Sequence, residues 1–282
     1  MHASALKSPK RSAMASAFPE ESANGRLQNG SSVCGKTFTL ESIRECLIRQ
    51  EDTIVFNLIE RAKYPRNSSV YDESSSRVPG FEGSLLHFFV KETEIVHAKV
   101  GRYENPEECP FFPDDLPSPL APLDHAQVLY PKAASININK TIWNMYINEL
   151  LPLFTAEGDD GNYASTATCD LACLQAISRR IHYGMYVAEI KFRDCPQEYE
   201  PAVRAQNRDA LMKMLTFEKV EEMVKRRVEK KAKVFGQEVS LDDKADKAKC
   251  KIEPSVVARL YDQWMMPFTK LVEVDYLLRR LD

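Results

Sequence analysis

Arg180 and Lys191 stand eleven positions apart in the stretch SRRIHYGMYVAEIKF, residues 178–192. At 3.6 residues per turn that is about three turns of helix, so the two cationic side chains point the same way. On that face between them lie only Gly184, Val187 and Ala188. The pattern describes a slot with positive charge at both ends and little bulk in the middle. Such a slot suits a compact ligand with an anionic group at each end. The same spacing also arises by chance in many helices, where it has no chemical meaning.

Near the C-terminus, Thr269 and Glu273 are spaced i, i+4 and share a helix face. Glu273 is flanked by Val272 and Val274. A carboxyl held against apolar surface keeps its proton to higher pH and can donate a hydrogen bond. The plainer reading, which spacing alone favours, is an acid paired with Lys270 or with an arginine of a neighbouring helix. By the same standard Arg44 reads as a surface residue and Glu221 as one of many solvated acids.

The length, 282 residues, fits one large domain or two small ones. Hydrophobic content of 44% and charged content of 28% are those of a soluble globular protein. A formal net charge of −3 gives no pull towards nucleic acid or anionic lipid. The basic run 225–233 is read as the solvated face of an amphipathic helix, since Val224 and Val228 keep helical spacing and Glu221, Glu222 and Glu229 flank or interrupt it. Seven cysteines, an odd number with no CxxC pair, point to a reducing compartment with free, mostly buried thiols. Five scattered histidines form no HxxxH or HExxH, so no metal site is expected. The sequence has no Walker loop, GxGxxG or GxSxG, and no apolar run long enough to span a membrane.

The elements that must carry the slot are helices. Residues 1–36, rich in Ser and Ala and with no acid before Glu20, read as a disordered N-terminal extension. With Lys7, Lys10 and Arg11 its composition faintly resembles an organelle transit peptide. From Thr39, a plausible N-cap, to about Lys63, apolar residues Ile43, Leu47, Ile54, Leu58 and Ala62 recur at helical spacing. Further helices are expected at about 82–102, 137–151 and 165–193. Seven of the sixteen prolines fall between Pro106 and Pro131, a surface crossing. A helix-rich region starts at Pro196, residues 240–251 read as a charged mobile loop, and Pro254 opens the last helix, to about Leu281. No segment from 37 onwards alternates convincingly with period two, so the fold class is all-α, with 37–282 as one helical domain.

Four blocks go further: IRECLIRQEDTIVFNLIERAKY (43–64), GDDGNYASTATCD (158–170), residues 178–192, and TKLVEVDYLLRRLD (269–282). Together they resemble the eukaryotic chorismate mutase family, over essentially the whole chain from residue 37. Within its plant members, ELLPLF at 149–154 and LTFEKVEEMVKRRVEKKA at 215–232 resemble the cytosolic form more than the plastid form. The resemblance implies an all-helical bundle, a homodimer, and an isomerase without metal or organic cofactor that converts chorismate to prephenate for phenylalanine and tyrosine biosynthesis. It also implies roles: Arg44 and Arg180 hold the substrate's two carboxylates, Lys191 and a protonated Glu273 hydrogen-bond its ether oxygen, Glu221 orders its hydroxyl, and Thr269 lines the wall. Phe217 departs from fungal members, which carry asparagine there.

The resemblance implies a second, regulatory site for aromatic amino acids at the dimer interface, at Gly101, Arg102, Asn162, Ala164, Ser165 and Thr168. Regulated members carry glycine where this chain has Ala164, and fungi an arginine where it has Gly101, so any response is expected to be weak. The expected compartment is the cytoplasm, or the plastid if residues 1–36 act as a transit peptide. The rival function is a catalytically inactive helical protein that senses an aromatic-pathway carboxylate. A nucleic-acid-binding role would need a basic surface continuous beyond 225–233, which the near-neutral balance opposes.

Overall fold

Thr39 starts the first helix as its position predicts. Its hydroxyl accepts from the Ser42 amide and Ser42 reaches back to the Thr39 amide, a reciprocal cap that opens α1 (Leu40–Arg61). The computed structural model describes residues 32–33, 36–74, 78–121, 127–238 and 250–281. Most of the expected 1–36 extension and the core of the expected loop, 239–249, lie outside the described residues. Just before α1, β1 (Ser32–Val33) pairs antiparallel with β2 (Lys36–Thr37). That ribbon and an isolated bridge from Gln237 to Cys250 are the only β-structure among the described residues.

The helices follow the apolar periodicity, with shifted ends. α2 (Leu85–Lys99) starts at a Ser84 cap, later than the expected 82. α3 (Asn139–Met145) runs into a wider π turn, Tyr146–Leu150, and then a tight turn over Leu151–Leu153, where Pro152 cannot continue the ladder. The expected long helix from 165 to 193 is two: α4 (Tyr163–His182) and α5 (Gly184–Asp194). At Tyr183 ψ is −15°, flatter than the usual helical value near −42°, which tightens the chain into a turn. Beyond lie α6 (Pro196–Arg204), α7 (Arg208–Leu215), α8 (Glu218–Gly236), α9 (Pro254–Leu260) and α10 (Met266–Leu278). A second π turn, Tyr261–Met265, joins α9 to α10.

The packing places α10 against α4, α5 and α7, while α1 lies against α4 and α8. The described residues fall in one compact unit, Ser31–Asp282. Ile43, Leu58, Ile177, Ile181, Val272 and Val274 are fully buried where these helices meet. Each such aliphatic side chain contributes roughly 1.5–3 kcal/mol by leaving water.

Two buried polar clusters brace this frame. Asp170 on α4 accepts from Arg61 Nε at 2.7 Å and from the hydroxyls of Tyr71 and Tyr146 at 2.6 Å each. On α5, Glu189 accepts from Tyr276 at 2.5 Å, from Arg280 at 2.7 Å and from Arg193 at 2.5 Å. Burial alone would raise the Glu189 pKa, but these three donors hold it below the ordinary value. Removing one partner of such a buried network costs about 3–5 kcal/mol. The described cysteines are free, but only Cys46 and Cys173 are buried; Cys109, Cys169, Cys195 and Cys250 are partly exposed, so the thiols are less buried than expected. No described helix is long and apolar enough to cross a membrane.

Candidate active site

A cavity of about 360 Å³ opens between α1, α4, α5, α8 and α10. Arg44, Arg180, Lys191, Glu221, Thr269 and Glu273 all line it. The chain brings them from positions far apart in sequence to one concave surface, with Ile43, Val187 and Leu215 supplying apolar wall.

Arg180 is the buried end of the cavity, only 6% exposed. Its Nη1 donates to Thr269 Oγ1 at 3.4 Å, and the Thr269 hydroxyl donates onward to the Met265 carbonyl at 2.7 Å. Its Nε has no hydrogen-bond partner despite burial. An unpaired buried donor costs about 1–3 kcal/mol, so this guanidinium is primed for an acceptor. Arg44 is at the rim, with an exposed side chain and a loose 3.7 Å pairing to Glu41. An ion pair that open contributes little to stability, which leaves the guanidinium available.

Lys191 Nζ approaches Glu273 Oε2 at 3.4 Å and sits over the Phe217 ring, 5.1 Å from its centroid. Burial pushes the Glu273 pKa up, and the ammonium of Lys191, then Arg180 and Lys270, only partly offset that rise. The carboxyl therefore favours its protonated, hydrogen-bond-donating form more than an ordinary glutamate does. Lys270 does not pair with Glu273, the plainer expectation; its Nζ donates to both oxygens of Glu221, at 3.0 and 3.2 Å. Glu221 is thus a fixed carboxylate and not a freely solvated one.

The slot itself needs correction. Val187 lines the cavity, but Gly184 and Ala188 do not. Ala188 is fully buried. Gly184 faces α10: a Cβ built there would lie 2.9 Å from the Thr269 carbonyl oxygen and 3.2 Å from Glu273 Cγ. The glycine serves helix contact and not ligand room. Spacing does not mark Lys270 as a site residue, although it adjoins Thr269 and lines the cavity; Phe217, the departure from fungal members, lines it too and immediately precedes the helix carrying Glu221. No group of three or more His, Cys, Asp or Glu among the described residues could hold a metal ion.

The six positions expected to form a regulatory site do not meet within the chain. Gly101 takes a left-handed φ of 80° after α2, where glycine is unstrained. Arg102 reaches His97 and Gln175 at 3.0 and 3.1 Å and Glu108 at 3.0 Å. Gln175 lies thirteen residues along α4 from Asn162, about 20 Å at 1.5 Å per residue. Asn162 is occupied with Asp160, while Thr168 bonds the Ala164 carbonyl at 2.8 Å. Ala164, Ser165 and Thr168 are exposed.

Comparison with known proteins gives a consistent picture. The sequence profile of the family described as chorismate mutase type II matches residues 162–274. The chain is 59% identical to chorismate mutase 2 of Arabidopsis thaliana, over 95% of this chain and 100% of that protein. It is 54% identical to chorismate mutase 2, cytosolic, of Zea mays, over 88% of this chain and 98% of that one. Chloroplastic relatives match too, one from Arabidopsis thaliana at 55% over 86% of this chain and 78% of that protein. Among solved structures it is similar to AtCM1 with tyrosine bound in its allosteric site, at TM-score 0.79 and 55% identity, over 86% of this chain and 97% of that one. It is also similar to the Candida albicans Aro7p chorismate mutase complexed with L-Trp, at TM-score 0.82 and 39% identity, over 86% of this chain and 92% of that one.

Proposed function

Because the chain belongs to the chorismate mutase family and so catalyses the rearrangement of chorismate to prephenate, we propose that the cavity between α1 and α10 is its active site. The reaction breaks an ether C–O bond and forms a C–C bond within one molecule. It needs no nucleophile and no net proton transfer. Acceleration therefore comes from holding a folded conformer and from meeting charge as it develops on the ether oxygen.

The division of labour is the one the resemblance implies, and the convergence of the six side chains supports it. Arg180, buried and with an unpaired N–H, takes one substrate carboxylate. Arg44, at the rim, takes the other. Lys191 and the protonated form of Glu273 donate to the ether oxygen. Glu221, held by Lys270, orders the ring hydroxyl, and Thr269 lines the wall while steadying Arg180. The observation that carries this reading is the convergence of all six side chains on one cavity of about 360 Å³, within the range of small-molecule sites, roughly 300–1,000 Å³. The alternative of an inactive carboxylate sensor finds no support.

Regulation and assembly belong to the same proposal. The protein works as a homodimer, in which Gly101 and Arg102 of one copy approach Asn162, Ala164, Ser165 and Thr168 of the other. Aromatic amino acids bind there weakly, because Ala164 places a methyl group at the exposed helix start. The compartment is the cytosol, a reading supported by likeness to a cytosolic relative, with the plastid as the alternative if residues 1–36 act as a transit peptide. The test is turnover of chorismate by wild type and Arg180→Ala. A charge-assisted contact is worth about 1.5–3 kcal/mol, so the folded variant should lose at least about tenfold to a hundredfold. Near-normal turnover by folded Arg180→Ala would overturn the assignment.

A further inference from the structure

Phe217 lies outside every role given above, yet it touches the chemistry. It stands between α7 and α8 with φ −124° and ψ 82°, outside the helical region, and has no side-chain capping bond. Thr216 before it is extended, so the two residues form the joint from which α8 carries Glu221 inwards. The ring is half-exposed and is shared by two concavities: the inner cavity and an outer groove along the α7–α8 turn, lined also by Met212 and Lys213. A phenylalanine with that much open surface gives little to the core. What it does contact is the Lys191 ammonium, 5.1 Å from the ring centroid, within the roughly 6 Å over which a ring face attracts a cation.

We propose that Phe217 is a positioning residue for Lys191: its ring face holds the ammonium at the cavity mouth and keeps it from closing onto Glu273. The proposal rests on the roles assigned above to Lys191 and Glu273. The Lys191–Glu273 separation of 3.4 Å is long for an ammonium facing a carboxylate, where about 2.7–2.9 Å is usual. Two attractions share one ammonium, and neither is fully satisfied. A closed pair would have two costs for the reaction. It would occupy the Lys191 donor that should meet the ether oxygen, and it would favour the ionised form of Glu273, which has no proton to donate.

The groups that face Glu273 define what a pH measurement can read. Lys191 comes from α5, Arg180 from α4, Tyr199 from α6, and Lys270 from α10 itself. Glu221 from α8 is tied to Lys270. Lys191 meets the Phe217 ring face; Glu221 meets Phe217 through the backbone, its amide donating to the Phe217 carbonyl at 3.0 Å, a bond that Leu, Met and Tyr all leave in place. Removing the ring frees Lys191 to approach the carboxyl while Arg180 and Lys270 keep their own partners. With Glu273 as donor, the rate should fall as it ionises with rising pH, and a closer ammonium should move that alkaline fall to lower pH.

The experiment measures kcat and KM from pH 6 to 9.5 for wild type, Phe217→Leu, Phe217→Met and Phe217→Tyr, with thermal melts of each. Leucine and methionine keep bulk but remove the ring face; tyrosine keeps it. Leu and Met should lower kcat by about two- to thirtyfold, the span of a surface to a desolvated cation–ring contact. They should also move the alkaline fall down by about half a pH unit or more. Tyr should restore both, with all melts close to wild type because the side chain is half-exposed. Wild-type kcat with an unmoved alkaline fall in Leu and Met would overturn the proposal. So would a loss confined to KM, or a Tyr variant no better than Leu. Lys191→Ala assayed alongside separates the two levels. If it turns over normally, the reading of the cavity fails and this proposal with it. If it is inactive while Phe217→Leu is unaffected, only the positioning role falls.

Discussion

Replacing Gly184 by alanine should injure catalysis far more than folding. A methyl at this position would meet the Thr269 carbonyl oxygen at 2.9 Å, Thr269 Cγ2 at 3.0 Å and Glu273 Cγ at 3.2 Å. Ordinary contacts lie near 3.5–4.0 Å, so the shortfall is about half an ångström or more. The nearest atom belongs to the backbone of α10, so relief requires the helix itself to move away from α5. Such overpacking costs typically 1–3 kcal/mol, while exchanging helical Gly for Ala returns about 1 kcal/mol. The net loss of stability, from about zero to 2 kcal/mol, would lower the melting midpoint by at most several degrees in a chain of this size. The same movement carries Thr269 and Glu273 away from Arg180 and Lys191. A misplacement of about 1 Å can cost a hundredfold, so half of that should cost roughly tenfold in kcat. The assay is initial-rate loss of chorismate with a melt of the same sample. Wild-type kcat with an unchanged melt would show that the α5–α10 contact is not tight. A melt below the assay temperature would show that the glycine serves folding and not alignment.

Three other outcomes follow from particular contacts. Glu273→Gln should retain substantial activity and flatten the alkaline fall in rate, because an amide donates at every pH; a Gln variant as inactive as Glu273→Ala in a rate–pH series would refute donation. Ala164→Gly should create or strengthen a response to tryptophan, phenylalanine or tyrosine, read as the ratio of rates with and without effector; strong activation of the unmodified chain that is unchanged in the variant would refute the steric reasoning. His182 is buried and neutral, accepting from the Ile138 amide at 3.1 Å, and burial lowers its pKa from 6.5 to about 4. The unfolded chain binds the proton first, so its contribution to stability is full above pH 6.5 and falls between 6.5 and 4, by up to about 1.4 kcal/mol per pH unit. Urea unfolding should show His182→Gln weaker at pH 7.5 with a smaller gap at pH 5; a gap that stays constant would refute the assignment.

Arg180 and Lys191 were legible as a pair because helical phase survives the turn at Tyr183. The turn itself is not legible: it carries no proline, and the close approach of Gly184 to Thr269 beside it is a contact between residues 85 positions apart. Gly184 accordingly read as room for a ligand when it is room for a helix. The raised pKa of Glu273 could be anticipated from Val272 and Val274, but its partner could not. Lys270 and Lys191 were both chemically suitable, and only the packing of α5 and α8 on α10 sends Lys270 to Glu221 and Lys191 to Glu273. Thr39 and Pro254 marked helix starts well because capping is local. The π turns at Tyr146–Leu150 and Tyr261–Met265 left no such mark, since a single widened turn does not visibly disturb an apolar stripe.

The place of α10 in the packing sets a timetable for synthesis. It covers α4, α5 and α7 and brings Thr269 and Glu273, yet among the described helices it is synthesised after all the others. Ninety-three residues separate Arg180 from Glu273, about 5–20 s of translation at 5–20 residues per second. During that interval the apolar faces of α4, α5 and α7 that α10 covers, and the Arg180 side chain among them, are without that cover. A chain cut before Met266 keeps the sequences of α1, α4 and α8 but is expected to aggregate and not to act as a weak enzyme, which its solubility on expression would check. On the proposed assignment the cavity is complete only when α10 is in place.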